Sequence, residues 1–546
     1  MPPICFWGPI SMKSLRFAFA CSALAIAAVP VAVSADEAGP NAQIIDEGLN
    51  RSQIQQMAHE LVDDIGPRLT NSSNMRKAEA WAVAKMEELG LENVRKEGFE
   101  FGRGWEVVSS HVEMMGPRPL ELTAIPVAWT PGTEGPVEGE VIVAPISSPA
   151  QFEAYRGMLE GKIVLISRPG TGDEPSQVPF RRLDDEDISS RDLIAIPEHN
   201  PDGPGGFARF VNSIKTFPKQ LDEFLASEGA IAWGKISYRD AKLLHGTGYN
   251  HEVGNTQTLP GLEIAAEDYR RLARLAIGGE APRMRIDTRV RFIDDDTQSY
   301  NIIGEIRGTD PKAGYVMAGA HIDSWHGADG AVDNAAGVVT ALEAARIIKS
   351  LGKRPKRSIR IALWGAEEQG LYGSAAYVRR HIVSRAGEEG MTNAEILANW
   401  TTLYPITPKP GFYDMKAYFN MDNGSGKFRG IHAEENIGAI PMLEKWMKPF
   451  NGLGAKHVVA GATGGTDHIM FQAVGLPGFQ FIQDPLDYGS RLHHTNADTF
   501  DHLRPDDLRQ ASVVMAGMLL AAANDEKTLP REPLPQRPTN TNPFGQ

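Results

Sequence analysis

Gly319 to Gly337 reads GAHIDSWHGADGAVDNAAG, which sets His321, Asp323 and Asp333 among glycines and alanines directly after the apolar run YVMAGA. Asp and Gly are poor helix and strand formers, so a chain that concentrates them here gives up local propensity for something else. Three more apolar runs lead into acids or histidines. Glu367 and Glu368 follow RIALWGA, Asp422 follows AYFNM, and His493 and His494 lie in HHTNADT, beyond GFQFIQD. Singly, each has an ordinary explanation: a turn, a helix start that favours Glu, a loop. Together, His321, Asp333, Glu368, Asp422 and His494 form a mixed nitrogen and oxygen ligand set that suits zinc, and Mn or Co less well. With Glu367 added, four carboxylates and two imidazoles in one cleft repel one another unless cations are present. A metal pair bridged by one carboxylate removes that repulsion.

Such a centre needs an architecture that gathers loops from distant parts of the chain. Open α/β sheets do this at the carboxyl ends of their strands. From RFIDDDTQSYNIIGEIRG onward the pattern is strand, loop, helix, with strands at GYVMAGA, RSIRIALWG, MKAYFNMDNG and GFQFIQD and a helix at NAAGVVTALEAARIIKS. Near-continuous apolar strands alternating with helices predict an α/β fold: a three-layer, mainly parallel (mixed) sheet covered by helices on both faces. Two amphipathic helices, RSQIQQMAHELVDDIG and NMRKAEAWAVAKMEELG, precede it, joined by the turn-rich GPRLTNS. Between them and the sheet, short β-rich runs such as EGEVIVAPI and GKIVLISRP are separated by Gly, Pro and acids, and Gly170 to Gly206 reads as a long polar loop. The expected organisation is residues 1–35 as a leader, 36–119 as the first part of the catalytic domain, 120–288 as a β-rich insertion, 289–526 as the catalytic core and 527–546 as a disordered tail.

The motifs AHIDSWHGADGAVDNAAG, LWGAEEQGLYGS, YFNMDNGSG, GGTDHIMF and HHTNADT resemble the co-catalytic dizinc exopeptidases, metallopeptidase family twenty-eight. GPRLTNS and GRGWEV also resemble its carboxypeptidase Q branch, and the likeness runs from about residue 45 to 525. It implies two zinc ions per chain, with Asp333 as the bridging ligand, His321 and Asp422 completing one ion, and Glu368 and His494 the other. It also implies that Asp323 orients the His321 ring, that Glu367 is the general base, that Asp333–Asn334 is a cis peptide, and that the insertion is a protease-associated (PA) domain. Many relatives carry Tyr directly before the last ligand, where this chain has His493; His493 and Tyr488 are the two candidates to hold the oxyanion, and lining the cleft is the other role open to His493. The stretch His381 to Gly411 reads as an insertion, with a lid and a homodimer contact as alternatives. His59, His111, His245 and His457 lack such context and read as structural or solvated. His326 and His468 lie inside motifs without reading as ligands, and His468 with Asp467 reads as substrate wall.

The bulk properties are compatible. The 546 residues exceed what one hydrophobic core serves, and the formal charge of −14 disfavours nucleic-acid and anionic-membrane partners. From Met12, a basic start, an apolar run interrupted by Pro30, and Val33-Ser34-Ala35 read as a secretory leader, which places the mature chain in the periplasm or outside the cell with no membrane span. Both cysteines, Cys5 and Cys21, fall in that leader, so no disulfide is expected. The functional expectation is an exported zinc exopeptidase acting on small peptides. The alternatives are a non-catalytic binding protein on the same fold and a single-zinc glutaminyl cyclase.

Overall fold

The computed structural model describes residues 39–172, 179–194, 206–248, 250–400 and 402–536. The expected leader, both cysteines, parts of the polar loop from Gly170 to Gly206 and the last ten residues lie outside that range.

Eight strands form the central sheet: β1 (Glu92–Glu100), β2 (Gln298–Ile306), β3 (Tyr315–His321), β4 (Ser358–Trp364), β5 (Met415–Asn420), β6 (Phe428–His432), β7 (His457–Val459) and β8 (Gly478–Gln483). Their order is β1-β2-β4-β3-β5-β8-β6-β7. The four middle strands, β4, β3, β5 and β8, run parallel. β1 and β2 are antiparallel additions on one side, and β6 is antiparallel to β8 on the other. The sheet is therefore mixed with a parallel centre, as the continuous apolar runs predict.

Alternation along each strand sends side chains to two cores. Val316, Ala318 and Ala320 of β3 join Ile359, Ile361 and Leu363 of β4 in one core. That core packs against α1 (Pro40–Asn50), α2 (Ser73–Glu88), α3 (Ala336–Ser350) and α4 (Pro505–Asn524). Tyr315 and Met317 face the other way, with Trp364, Tyr418 and the segment from Leu371 to Phe412. α3 is buried along nearly its whole length, from Ala336 to Ile348. Each fully buried Ile, Leu or Val there contributes about 1.5–3 kcal/mol relative to exposure. Its first turn lies so close to β3 that a Cβ on Gly337 would come within 2.6 Å of the Met421 carbonyl and 2.8 Å of Ala320. Glycine is required at that contact.

A second eight-stranded sheet is built between β1 and β2 in the chain, from Gly104–Gly116 to Arg283–Ile293. It begins before residue 120 and ends after residue 288, because Gly104–Gly116 pairs along its length with Arg283–Ile293 inside the sheet. The stretch from His381 to Gly411 holds a short two-stranded sheet (Val383–Arg385 with Ile406–Pro408) and the helix Asn393–Ala398.

The tail differs from its expected disorder up to residue 536. Leu529 is buried, the Pro530 carbonyl accepts from Asn436 Nδ2 at 2.9 Å, and Arg531 donates to the Met415 carbonyl at 2.7 Å. One buried leucine and these hydrogen bonds hold a segment whose overall composition reads as unstructured. Among the described residues no helix is long and apolar enough to cross a membrane.

Candidate metal centre

Parallel pairing brings equivalent strand ends together. His321, the last residue of β3, pairs with Trp364, the last of β4, and Gly319 pairs with Asn420 at the end of β5. Asn420 in turn pairs with Gln480 of β8. The loops leaving these ends carry Asp333, Glu367, Glu368, Asp422, His493 and His494, and they converge.

The distances define one cluster. His321 Nε2 lies 3.3 Å from Asp333 Oδ1 and 3.6 Å from Asp422 Oδ1. His494 Nε2 lies 2.8 Å from Glu368 Oε2 and 3.4 Å from Asp333 Oδ2. Asp333 thus stands between two sets of donors, one oxygen toward each, and all five sequence-predicted ligands are brought together. Two of their atoms, His321 Nε2 and Glu368 Oε1, are buried without a hydrogen-bond partner. Buried polar atoms are normally paired, so an imidazole nitrogen and a carboxylate oxygen left unpaired in one cluster, each with a lone pair to offer, are what a cation site requires. The ligand atoms of His321, Asp333 and Glu368 all lie within 4.8 Å of one another. Imidazole nitrogen and carboxylate oxygen in this mixture fit zinc.

The protonation states carry the mark of this crowding. Burial, reinforced by the Asp333 carboxylate, pushes Glu368 well above the usual carboxylate range. Burial also raises Glu367, with Asp422 and Asp467 adding to the effect against the pull of His321. Burial acts to lower His321, but the carboxylates of Glu367 and Asp422 win and hold it well above 6.5. Asp333 is held low: burial opposes ionisation, but His321 and His494 outweigh it.

Glu367 is 9% exposed, with Oε2 4.0 Å from His321 Nε2. Its position is set by Asp323, whose two carboxylate oxygens accept the amides of Glu367 and Glu368 at 3.1 and 3.2 Å. The His321 ring is met at Nδ1 by the Asp323 backbone carbonyl at 3.0 Å, while the carboxylate lies 3.7 Å away and is used on the neighbouring loop. Asp333–Asn334 is a cis peptide. Of the two oxyanion candidates, Tyr488 donates its hydroxyl to Asp333 Oδ2 at 3.1 Å, and His493 stacks on His494 with ring centroids 3.6 Å apart.

Three supporting residues escape the sequence reading. Arg68, in GPRLTNS, is fully buried and donates to the carbonyls of Gly66, Ile322, Asp329 and Gly330 at 2.6–3.0 Å. It staples the loop between His321 and Asp333. Asp498, quoted in HHTNADT for its histidines alone, accepts the amides of Val332 and Asp333 at 2.7 and 3.1 Å. His245, read as structural or solvated, comes from the second sheet's side and touches His494: its Nε2 is 3.2 Å from His494 Nδ1. His468 contacts Glu434 Oε1 at 3.3 Å, away from the ligand atoms. A cavity of about 560 Å³ within the inserted module, between Ile146, Phe217 and Trp233, shares no lining residue with this centre.

Residues 301–519 match the family described as Peptidase family M28. Carboxypeptidase Q of Homo sapiens is 25% identical over 476 residues, 86% of this chain and 85% of that protein. The crystal structure of a Peptidase M28 precursor from Shewanella amazonensis superposes with a TM-score of 0.63 at 24% identity, covering 91% of this chain and 98% of that one. BSAP, a zinc aminopeptidase from Bacillus subtilis, gives 0.53 at 20% identity, covering 88% and 97%. A sheet of this topology with such a donor set, and with these likenesses, is that of a metallopeptidase. The likeness to the M28 peptidases thus covers residues 301–519 by the family match and 86% of the chain by the carboxypeptidase Q relative.

Proposed function

We propose that this chain is an exported exopeptidase that holds two zinc ions and hydrolyses small peptides near one end, in the manner suggested by its likeness to carboxypeptidase Q. The observation that carries the reading is Asp333, which offers one carboxylate oxygen to the His321 and Asp422 side and the other to the His494 side. His321, Asp333 and Asp422 would hold one ion, and Glu368, Asp333 and His494 the other. Zinc, when bound, makes a water acidic enough to lose its proton near neutral pH and draws electron density from the scissile carbonyl. Glu367 takes that proton on its carboxylate and later gives it to the leaving amine nitrogen. Asp323 keeps Glu367 in reach through the backbone amide it accepts. Tyr488, already directed at Asp333, donates to the oxygen that gains charge, with His493 as the alternative donor. The sequence-level leader supports export, and the inserted sheet is read as a PA domain that roofs the cleft and favours small substrates.

The test is a panel of dipeptides and tripeptides with either end blocked, run alongside metal analysis. A carboxypeptidase-like enzyme cleaves amine-blocked peptides, fails on those blocked at the carboxylate and contains two zinc ions per chain. The opposite pattern of blocking makes it an aminopeptidase. No cleavage of any peptide points to a binding protein, and a single zinc with cyclisation of N-terminal glutamine points to the cyclase.

A further inference from the structure

Each of the two ring ligands has its outer nitrogen engaged, but from different parts of the molecule. His321 Nδ1 meets the carbonyl of Asp323, two residues along its own loop. His494 Nδ1 meets His245 Nε2, which arrives from the inserted module. The contact is not isolated. Gly246 N donates to the His494 carbonyl at 2.7 Å, and Asn496 N donates to the Leu244 carbonyl at 3.0 Å. Leu244 N donates to Asn496 Oδ1 at 2.8 Å, and His245 and Thr495 form an antiparallel bridge. Arg239, just upstream, donates to the His493 carbonyl at 2.7 Å. His245 is itself fixed from the module's interior, since its amide is accepted by the buried Glu263. The clamped residue needs such support: His494 has φ of +61°, a left-handed conformation that a side chain other than glycine adopts at a cost.

His494 Nε2 is the nitrogen turned toward Glu368 and Asp333. A neutral imidazole that coordinates through Nε2 carries its proton on Nδ1, and that proton needs an acceptor. We propose that His245 of the inserted module is a positioning residue of the metal centre, accepting the His494 Nδ1 proton and so fixing the tautomer and ring angle with which His494 meets its ion. The inference rests on the two-metal reading above. It makes the inserted module part of the centre, where a roof over the cleft would touch only substrate. Outer partners of this kind typically govern 10–100-fold in metal affinity.

The experiment is a zinc titration of the full chain against a competing chelator, for wild type, H245F and H245Q, with melting of the chelated proteins to check that each folds. H245F removes the acceptor; H245Q places an amide oxygen near the position of Nε2. The expected result is two tight ions in wild type, one tight ion and one weakened 10–100-fold in H245F, and recovery to within a few-fold in H245Q. Unchanged affinity in H245F overturns the proposal. So does equal weakening in both variants, which would mark the ring as packing only. A third ion in wild type that is lost in H245F overturns it as well, because His245, His493 and His494 would then be ligands themselves. Should H245F fail to fold, H245A replaces it, and wild-type affinity there is equally fatal. A wild-type chain that binds fewer than two ions overturns the two-metal reading itself, and is recognised before any variant is compared.

Discussion

Asp323 Oδ1 accepts the backbone amide of Glu367 at 3.1 Å, which ties the loop after β3 to the loop after β4. The second oxygen takes the Glu368 amide and the Thr70 hydroxyl, each at 3.2 Å. One buried side chain therefore sets where both glutamates leave the sheet. D323N turns an NH2 group toward one of these donors and leaves a buried amide unpaired, at a cost of about 1–3 kcal/mol. The expected outcome is a fall of about 10²-fold in kcat, with zinc weakened 10–100-fold because Glu368 shifts. Steady-state kinetics and a chelator titration on the same preparation check it.

On the proposed mechanism, a substitution at Glu367 separates chemistry from metal binding. E367Q keeps the shape and the main-chain contacts but cannot carry a proton. Peptide hydrolysis is expected to fall by about 10²–10⁴-fold, while zinc content stays at the wild-type level. Chelation of the wild type should abolish the same activity and lower the melting temperature, since the cluster of Asp333, Glu367, Glu368 and Asp422 then loses its neutralising cations. Metal analysis beside kinetics distinguishes the two losses; an E367Q protein that loses zinc as well would make Glu367 a ligand.

What the sequence makes legible is the set of residues that must be chemically special. His321, Asp333, Glu368, Asp422 and His494 are visible because each interrupts or follows an apolar run with a residue poorly suited to a strand end, and parallel strands have only one end at which such loops can meet. Arg68 is not visible in this way. In GPRLTNS it looks like a solvated loop cation, and its burial depends on four carbonyls, three of them more than 250 positions away. His245 is hidden for a related reason: LLHGTGYN has no ligand spacing, and the ring matters only because the inserted module folds back onto Thr495. The edges of that module are blurred because Gly104–Gly116 pairs with Arg283–Ile293, a partner the local pattern does not reveal.

Arg68 can be tested on that basis. R68M preserves much of the volume but leaves the carbonyls of Ile322, Asp329 and Gly330 without their donor inside the protein. A loss of at least about 3 kcal/mol is expected, from several hydrogen bonds to a charged group at roughly 1.5–3 kcal/mol each, partly offset by removing a buried charge. The loop between His321 and Asp333 should loosen first. Hydrogen exchange should therefore rise in residues 322–332 before the rest of the sheet, and zinc affinity should fall without any ligand being altered.

Glu97 on β1 anchors the start of the segment that runs from His381 to Gly411. It accepts from His381 Nε2 and from Arg95 Nε, each at 2.8 Å. Burial alone would raise its pKa, but the hydrogen bond and charge of His381, together with Arg95, win and hold it at about 2 against an ordinary 4.5. Because the folded-state value is depressed, the stabilisation is complete above about pH 4.5 and is lost as the pH falls through about 2. Discounted for solvent screening, it amounts to about 1–3 kcal/mol. E97Q mimics the protonated form. At pH 7 it should lower hydrogen-exchange protection across residues 381–411 by about 10-fold or more, and the gap from wild type should narrow below pH 4 and close near pH 2. A gap of constant size over that range would mean that Glu97 acts by shape and not by charge.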